Sequence, residues 1–109
     1  MRFLRPACLW AFLLLPGLAR AAANGQEIVL HGNGNGALPC AACHGANGAG
    51  NAATGAPALA GLPDSTIETA LANMAKGQGG TPLMQSIAQA LSPDERQAVA
   101  AYFAGLAKP

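Results

Sequence analysis

Residues 40–50, CAACHGANGAG, put two cysteines and a histidine into one five-residue window with glycine immediately behind. Those three side chains suit a metal ion, a redox-active dithiol, or an anchor for something larger. The rest of the 109-residue chain discriminates among the three.

The chain is long enough for one small domain, and its first residues read as something else. Arg2 and Arg5 make a basic start, Ala7 to Leu15 form an uninterrupted apolar run, and Pro16-Gly17 break it. Small residues follow at Ala19, Ala21 and Ala23. This is the pattern of a cleaved secretory signal over residues 1–23. A membrane-spanning helix needs roughly 20 apolar residues, and the run before Pro16 is about half that length. Residues 24–109 then form the working domain, and the expected location is the periplasm.

Cleavage after Ala23 removes Arg2, Arg5 and Arg20, leaving three basic residues against five acidic ones. A net acidic chain is a poor match for nucleic acid, which is bound mainly through basic surface. Cys8 leaves as well, so the odd count of three cysteines becomes the pair Cys40 and Cys43.

The remaining domain is thin in hydrophobic bulk. Of its 86 residues only 17 are Ile, Leu, Val, Met, Phe or Tyr, against 13 glycines. A domain of this size is near the limit at which burial offsets chain entropy. A disulfide between Cys40 and Cys43 would close too short a loop to help. Something other than side chains is needed to complete the core.

The fold class expected is all-α, with no strand-like alternation anywhere. Asn24 to His31 suits two helical turns, and the Gly32–Gly36 run then reads as loop. Cys40 to His44 suits a single turn, and Gly45 to Pro57 is a second irregular stretch. Ser65 to Glu68 fits a capping box, and Ile67, Leu71 and Met74 share a helical face, predicting a helix from about Thr66 to Lys76 that Gly77 stops. Gln78 to Pro82 reads as loop, with Leu83-Met84 beyond it and a short turn through Ser86 to Ala90. Ser92, Pro93 and Glu95 open a final helix to about Ala107, with Val99, Tyr102, Phe103 and Leu106 as its apolar stripe.

Against this background the three readings of Cys40-Ala41-Ala42-Cys43-His44 separate. A structural zinc site requires four ligands, and only His31 could join the three present. Dithiol chemistry belongs near a strand–helix–strand pattern, which is missing. Covalent haem attachment is the specific meaning of C-x-x-C-H. Cysteines three apart lie on one side of a helical turn, so both sulfurs can reach the vinyl groups on one porphyrin edge, and the next histidine can offer a nitrogen to the iron. A few hundred Å² of apolar porphyrin, at about 25 cal/mol per Å², contributes on the order of 5–10 kcal/mol gross. That supplies the missing core. One haem c, tied through Cys40 and Cys43, is therefore the expected cofactor.

His44 serves one face of the iron. For the other the candidates are Met74, Met84 and His31. Met74 shares a core stripe with Ile67 and Leu71, and His31 ends a short helix as an ordinary surface histidine. Met84, following Thr81-Pro82-Leu83 between two capped helices, is favoured as the thioether ligand.

The order of these features resembles a class I cytochrome c. Cys40 to Gly45, Gly55-Ala56-Pro57-Ala58-Leu59-Ala60-Gly61, Pro82-Leu83-Met84, Leu91-Ser92-Pro93-Asp94-Glu95 and Ala100-Ala101-Tyr102-Phe103 carry the likeness. The nearest variants are cytochrome c553 and one half of a dihaem cytochrome c4. The resemblance implies that Met84 is the axial sulfur and that the Pro57 carbonyl accepts the other ring N–H of His44, orienting it. It also implies that Gly25 lies where the first and last helices cross. Leu62 stands where the family often has glutamine, Gly77 to Thr81 lacks an arginine often found there, and residues 24–109 contain no tryptophan.

With histidine and methionine both bound, no open position is left for substrate. The expected function is outer-sphere electron transfer, not enzymatic turnover, between redox protein partners such as a respiratory complex, an oxidase or a dehydrogenase. No stable membrane insertion is expected after signal cleavage. The competing readings are a five-coordinate haem that binds a small ligand or acts as a peroxidase, and a dedicated haem subunit of a larger enzyme.

Overall fold

The computed structural model describes residues 23–109. The signal expected at 1–23 lies, but for Ala23, outside the described residues. Five helices follow in order: α1 (Gly25–His31), α2 (Ala41–His44), α3 (Asp64–Ala75), α4 (Pro82–Ala90) and α5 (Pro93–Ala104). Among the described residues the only β pairing is an isolated bridge between Asn51 and Ala56.

Each helix begins where local chemistry satisfies its free N–H groups. Asn24 caps α1, its side chain accepting from the Glu27 amide. Ser92 and Glu95 form the expected reciprocal capping box on α5, with Pro93 in the first turn. Helix α3 departs from expectation at its start. Its N-cap is Pro63 with no side-chain cap, and the Pro63 carbonyl takes the Thr66 and Ile67 amides at 3.0 and 3.3 Å. The proline enters extended and Asp64 places its charge at the positive end of the helix dipole, so Ser65 falls inside the helix and the Ser65–Glu68 box does not form. At the other end Gly77 (φ +82°) donates to Met74 O and Gln78 to Asn73 O, both at 2.9 Å, closing a Schellman motif.

The largest difference lies at residues 82–90, expected as loop and turn but forming the nine-residue helix α4. Thr81 is extended and accepts from the Met84 amide, while Pro82 occupies the first turn. This is the same opening as Ser92-Pro93, and it makes Met84 a helical residue. Helix α5 also ends earlier than expected, at Ala104. The Phe103 carbonyl already accepts from Leu106 and from the distant Gly61 amide, at 3.1 and 3.0 Å, so it does not continue the helix to Ala107.

The core is where α5 crosses α1 and α3, with α4 packed on α3. Phe103, Val29 and Val99 are fully buried, joined by Ile28, Ile67 and Leu71. Gly25 permits the α1–α5 crossing. A Cβ there would strike the Ala98 carbonyl and come within 3.2 Å of the Tyr102 Cβ. The Gly-rich loop after α1 is held by Asn33. Its amide nitrogen donates to Ala90 O (2.8 Å) and Glu95 Oε1 (3.0 Å), and its oxygen accepts from the Asn35 and Ala37 amides. Arg96 fastens the end of α4, donating to Leu91 O at 2.7 Å and Ala88 O at 3.2 Å.

Candidate functional site

Cys40, Cys43 and His44 come together because Pro39 and Cys40 open one helical turn. The Cys43 and His44 amides donate to Cys40 O at 3.3 and 2.9 Å, and Gly45 (φ +87°) ends the turn. Neither cysteine is in a disulfide; Cys43 is exposed and Cys40 half-buried. Burial pushes the Cys40 thiol up to about 11, partly opposed by a backbone hydrogen bond. It therefore stays protonated at neutral pH, unlike the activated thiolate of a dithiol redox centre. Among the described residues no three Cys, His, Asp or Glu side chains converge to hold a metal ion, so the zinc reading lacks a donor set.

His44 is buried, 6% exposed, and its one side-chain hydrogen bond runs from Nδ1 to the carbonyl oxygen of Pro57 at 2.9 Å. A carbonyl oxygen only accepts, so Nδ1 carries a proton and donates it to Pro57. Nε2 is the ring nitrogen left to bind a metal.

The loop between these residues is built to deliver that carbonyl. The Gly50 amide donates to His44 O at 2.8 Å, and Asn51 and Ala56 pair reciprocally at 2.9 and 3.1 Å. Gly48 O then accepts from both Leu59 and Ala60. Gly50 (φ +82°) lies so close beneath the turn that a Cβ would sit 2.7 Å from Ala58 N and 2.8 Å from Pro57 C. Gly48 similarly rests on Phe103, where a Cβ would come within 2.9 Å of the ring. The histidine's partner is thus referenced to the core through two glycines that sequence reasoning passed over.

Met84 arrives from a separate element. The Thr81 cap fixes it at the third position of α4, and it is half-buried against the same core that Cys40, Leu59 and Met74 pack on. Met74 belongs to α3 and its sulfur lies over Gly80. His31 is exposed at the end of α1. The donor chemistry fits a haem: two cysteines one helical turn apart, an imidazole whose Nε2 takes no hydrogen bond among the described residues, and a half-buried thioether on α4.

A short C-x-x-C-H helix enclosed by an all-α domain, with its histidine oriented by a loop carbonyl, defines a class I c-type cytochrome. The family model described as cytochrome c oxidase, cbb3-type, subunit III matches residues 20–103, and the chain belongs to this family. The chain is 41% identical over 97 residues to a thiosulfate dehydrogenase electron acceptor of Stutzerimonas stutzeri, which covers 88% of this chain but 45% of that relative. Among solved structures it is similar to thiosulfate dehydrogenase (TsdBA) from Marichromatium purpuratum, with TM-score 0.73 and 36% identity over 77% of this chain and 18% of the other. Reduced cytochrome c4 from Pseudomonas stutzeri gives TM-score 0.71 and 30% identity, over 76% of this chain and 46% of that one. The chain thus spans about half the length of the S. stutzeri relative and of the cytochrome c4 chain.

The chain is accordingly a class I c-type cytochrome domain. Its cofactor is covalently bound haem c, for which Cys40 and Cys43 supply the attachment motif. No helix among the described residues is long and apolar enough to cross a membrane.

Proposed function

We propose that residues 24–109 form a periplasmic one-electron carrier that accepts electrons from a thiosulfate-oxidising dehydrogenase. Cys40 and Cys43 would hold the haem, His44 and Met84 would supply nitrogen and sulfur to its iron, and the Pro57 carbonyl would orient the His44 ring. When bound, the haem supplies reversible one-electron storage between ferric and ferrous iron. The chain's own residues determine everything around that.

The observation that carries this reading is the 2.9 Å bond from His44 Nδ1 to Pro57 O. It selects the tautomer, stops ring rotation and raises the basicity of Nε2. The thioether of Met84 favours the ferrous state relative to a second imidazole. With both positions taken, oxygen and small ligands are excluded, which suits a carrier. The thiosulfate-linked donor is supported by the electron-acceptor relative and the TsdBA likeness.

The test is reduction of the purified, haem-loaded protein by a thiosulfate dehydrogenase supplied with thiosulfate. Rapid appearance of the ferrous spectrum, absent without enzyme, is the expected result. No reduction under conditions where the dehydrogenase reduces another cytochrome would remove this donor from the account.

A further inference from the structure

Helix α4 carries Met84 on nine residues, and an isolated helix of that length is marginal in water. The chain enters it through Gly77, Gly79 and Gly80, all in left-handed backbone (φ +82°, +79° and +67°). The entry is held by the Thr81 cap and by Gln85 Nε2, which donates to Gly79 O at 2.9 Å. Both contacts lie within residues 79–85 and move with the helix. The other end is held from outside. The last four carbonyls of a helix have no partner within it, and here remote side chains take up carbonyls at that end. Arg96 Nη1, in α5, donates to Ala88 O at 3.2 Å and to Leu91 O at 2.7 Å. Asn33 Nδ2, in the loop after α1, donates to Ala90 O at 2.8 Å. Ala88 is one helical turn beyond Met84, on the same face and about 6 Å along the axis.

We infer that Arg96 is a positioning residue for the Met84 sulfur, gripping α4 one turn beyond the thioether and so setting how firmly that sulfur is held at the iron. This rests on the axial-ligand reading of Met84 above. The Thr81 cap restrains the helix only against its own entry. Arg96 instead references it to α5, whose Val99 and Phe103 are buried in the core. Two bonds from one nitrogen, to carbonyls of residues 88 and 91, oppose both sliding and rotation of the helix end. The guanidinium charge also sits at the negative end of the α4 dipole. Removing it takes away the donor to Leu91 O and leaves Ala88 O to the Leu91 amide at 3.2 Å. Helix α4 then opens locally at a lower free energy than the whole domain unfolds, and each opening withdraws the sulfur.

The experiment uses the full haem-loaded ferric protein. It follows the weak long-wavelength band of methionine-ligated iron and the rate of cyanide binding, which requires the sulfur to leave. Arg96→Leu keeps an aliphatic stem and a good helix former but no donor. It should bind cyanide at least about five-fold faster than the parent, the effect of losing a charge-assisted hydrogen bond from an opening equilibrium. Its methionine band should also disappear at a lower denaturant concentration than its helical circular dichroism. Arg96→Lys, which retains charge and donors, should return the cyanide rate to within about two-fold of the parent. Val29→Ala is the control, since α1 packs on α5 and α2. It should lower both denaturation midpoints together and change the cyanide rate by less than about two-fold. An increase below about five-fold in Arg96→Leu, or an equal increase in Val29→Ala, would overturn the inference and leave Arg96 a stabilising residue only. If Arg96→Leu yields no haem-loaded protein, Arg96→Gln, with a shorter donor, decides the same question: faster cyanide binding than Arg96→Lys supports the inference and an equal rate overturns it. A parent that lacks the methionine band defeats the ligand reading itself, and the inference with it.

Discussion

His44 Nδ1 lies 2.9 Å from the Pro57 carbonyl oxygen, across a loop of glycine, alanine, asparagine and one threonine that contains no large apolar side chain. Asn47 and Asn51 side chains close its turns, but no large apolar residue of its own anchors it to the core. Its position comes from Gly48 seated against Phe103 and Gly50 tucked under the Ala56–Ala58 backbone. The orientation of the imidazole is therefore coupled to the same aromatic ring that anchors α5.

Gly50→Ala tests that coupling. The added methyl meets Ala58 N and Ala56 O below 3 Å in a left-handed backbone that disfavours any side chain. Stability should fall by about 2 kcal/mol or more. The haem-loaded variant should also lose its histidine-ligated spectrum at a lower denaturant concentration than the parent. A variant with unchanged melting and unchanged spectral midpoint would show that the loop is not what holds Pro57.

Met84→Ala should open the iron to cyanide and carbon monoxide and lower the reduction potential, because a thioether favours ferrous iron. Met74→Ala should do neither and should destabilise by about 1–3 kcal/mol, as truncation of a half-buried packing residue does. The readout is the ferric spectrum, where the weak long-wavelength band of methionine-ligated iron disappears in the first variant only. Exchange of these phenotypes would move the ligand to α3.

Thr81→Ala removes the cap that places Met84. The cost is expected at about 1 kcal/mol, and loss of the methionine band on heating should begin at a lower temperature than global unfolding. Thr81→Ser retains the capping oxygen and should restore the parent behaviour. An alanine variant indistinguishable from the parent in both measurements would show that the cap does not position the thioether.

Asn33 and Glu95 give a pH-dependent prediction. Hydrogen bonds from the Ser92 amide, and then from Asn33, hold the Glu95 carboxyl below the usual carboxylate range. Folding thus favours the ionised form: the contribution is complete above the unfolded value of about 4.3 and is lost as pH falls through the lower folded value. Asn33→Ala should lower stability at neutral pH by about 2 kcal/mol, since four hydrogen bonds are lost. It should also make the acid-side decline shallower below about pH 4.3. An unchanged acid slope in chemical denaturation would show that Asn33 does not contribute to the Glu95 shift.

These residues also mark how far the sequence could be read. Cys40-x-x-Cys43-His44, the Ser92–Glu95 box and the Ile67/Leu71 and Val99/Phe103 stripes are local signals whose partners lie within a turn or two, and the structure contains all of them. Thr81-Pro82 carries an equally local helix start, but Pro82 sits at the end of a glycine-rich stretch that reads as loop, which hides α4. Pro63-Asp64 outcompeted the Ser65–Glu68 box because an extended proline followed by an acid starts a helix without any side-chain cap. Asn33 and the two loop glycines were silent for a different reason. The contacts of Asn33 with Ala90 and Glu95, and of Gly48 with Phe103, span more than fifty residues of chain, while Gly50 meets the Ala56–Ala58 backbone through a loop fold that has no periodic signal.

The central claim is that one haem is stitched to Cys40 and Cys43. Mass spectrometry of the protein recovered from the periplasm of a host able to mature c-type cytochromes tests it most directly. The account predicts a chain beginning near Asn24 and carrying the mass of one haem, retained after denaturation and lost in the Cys40→Ala, Cys43→Ala double variant. A parent protein recovered there at the mass of the bare polypeptide, and colourless, would contradict it.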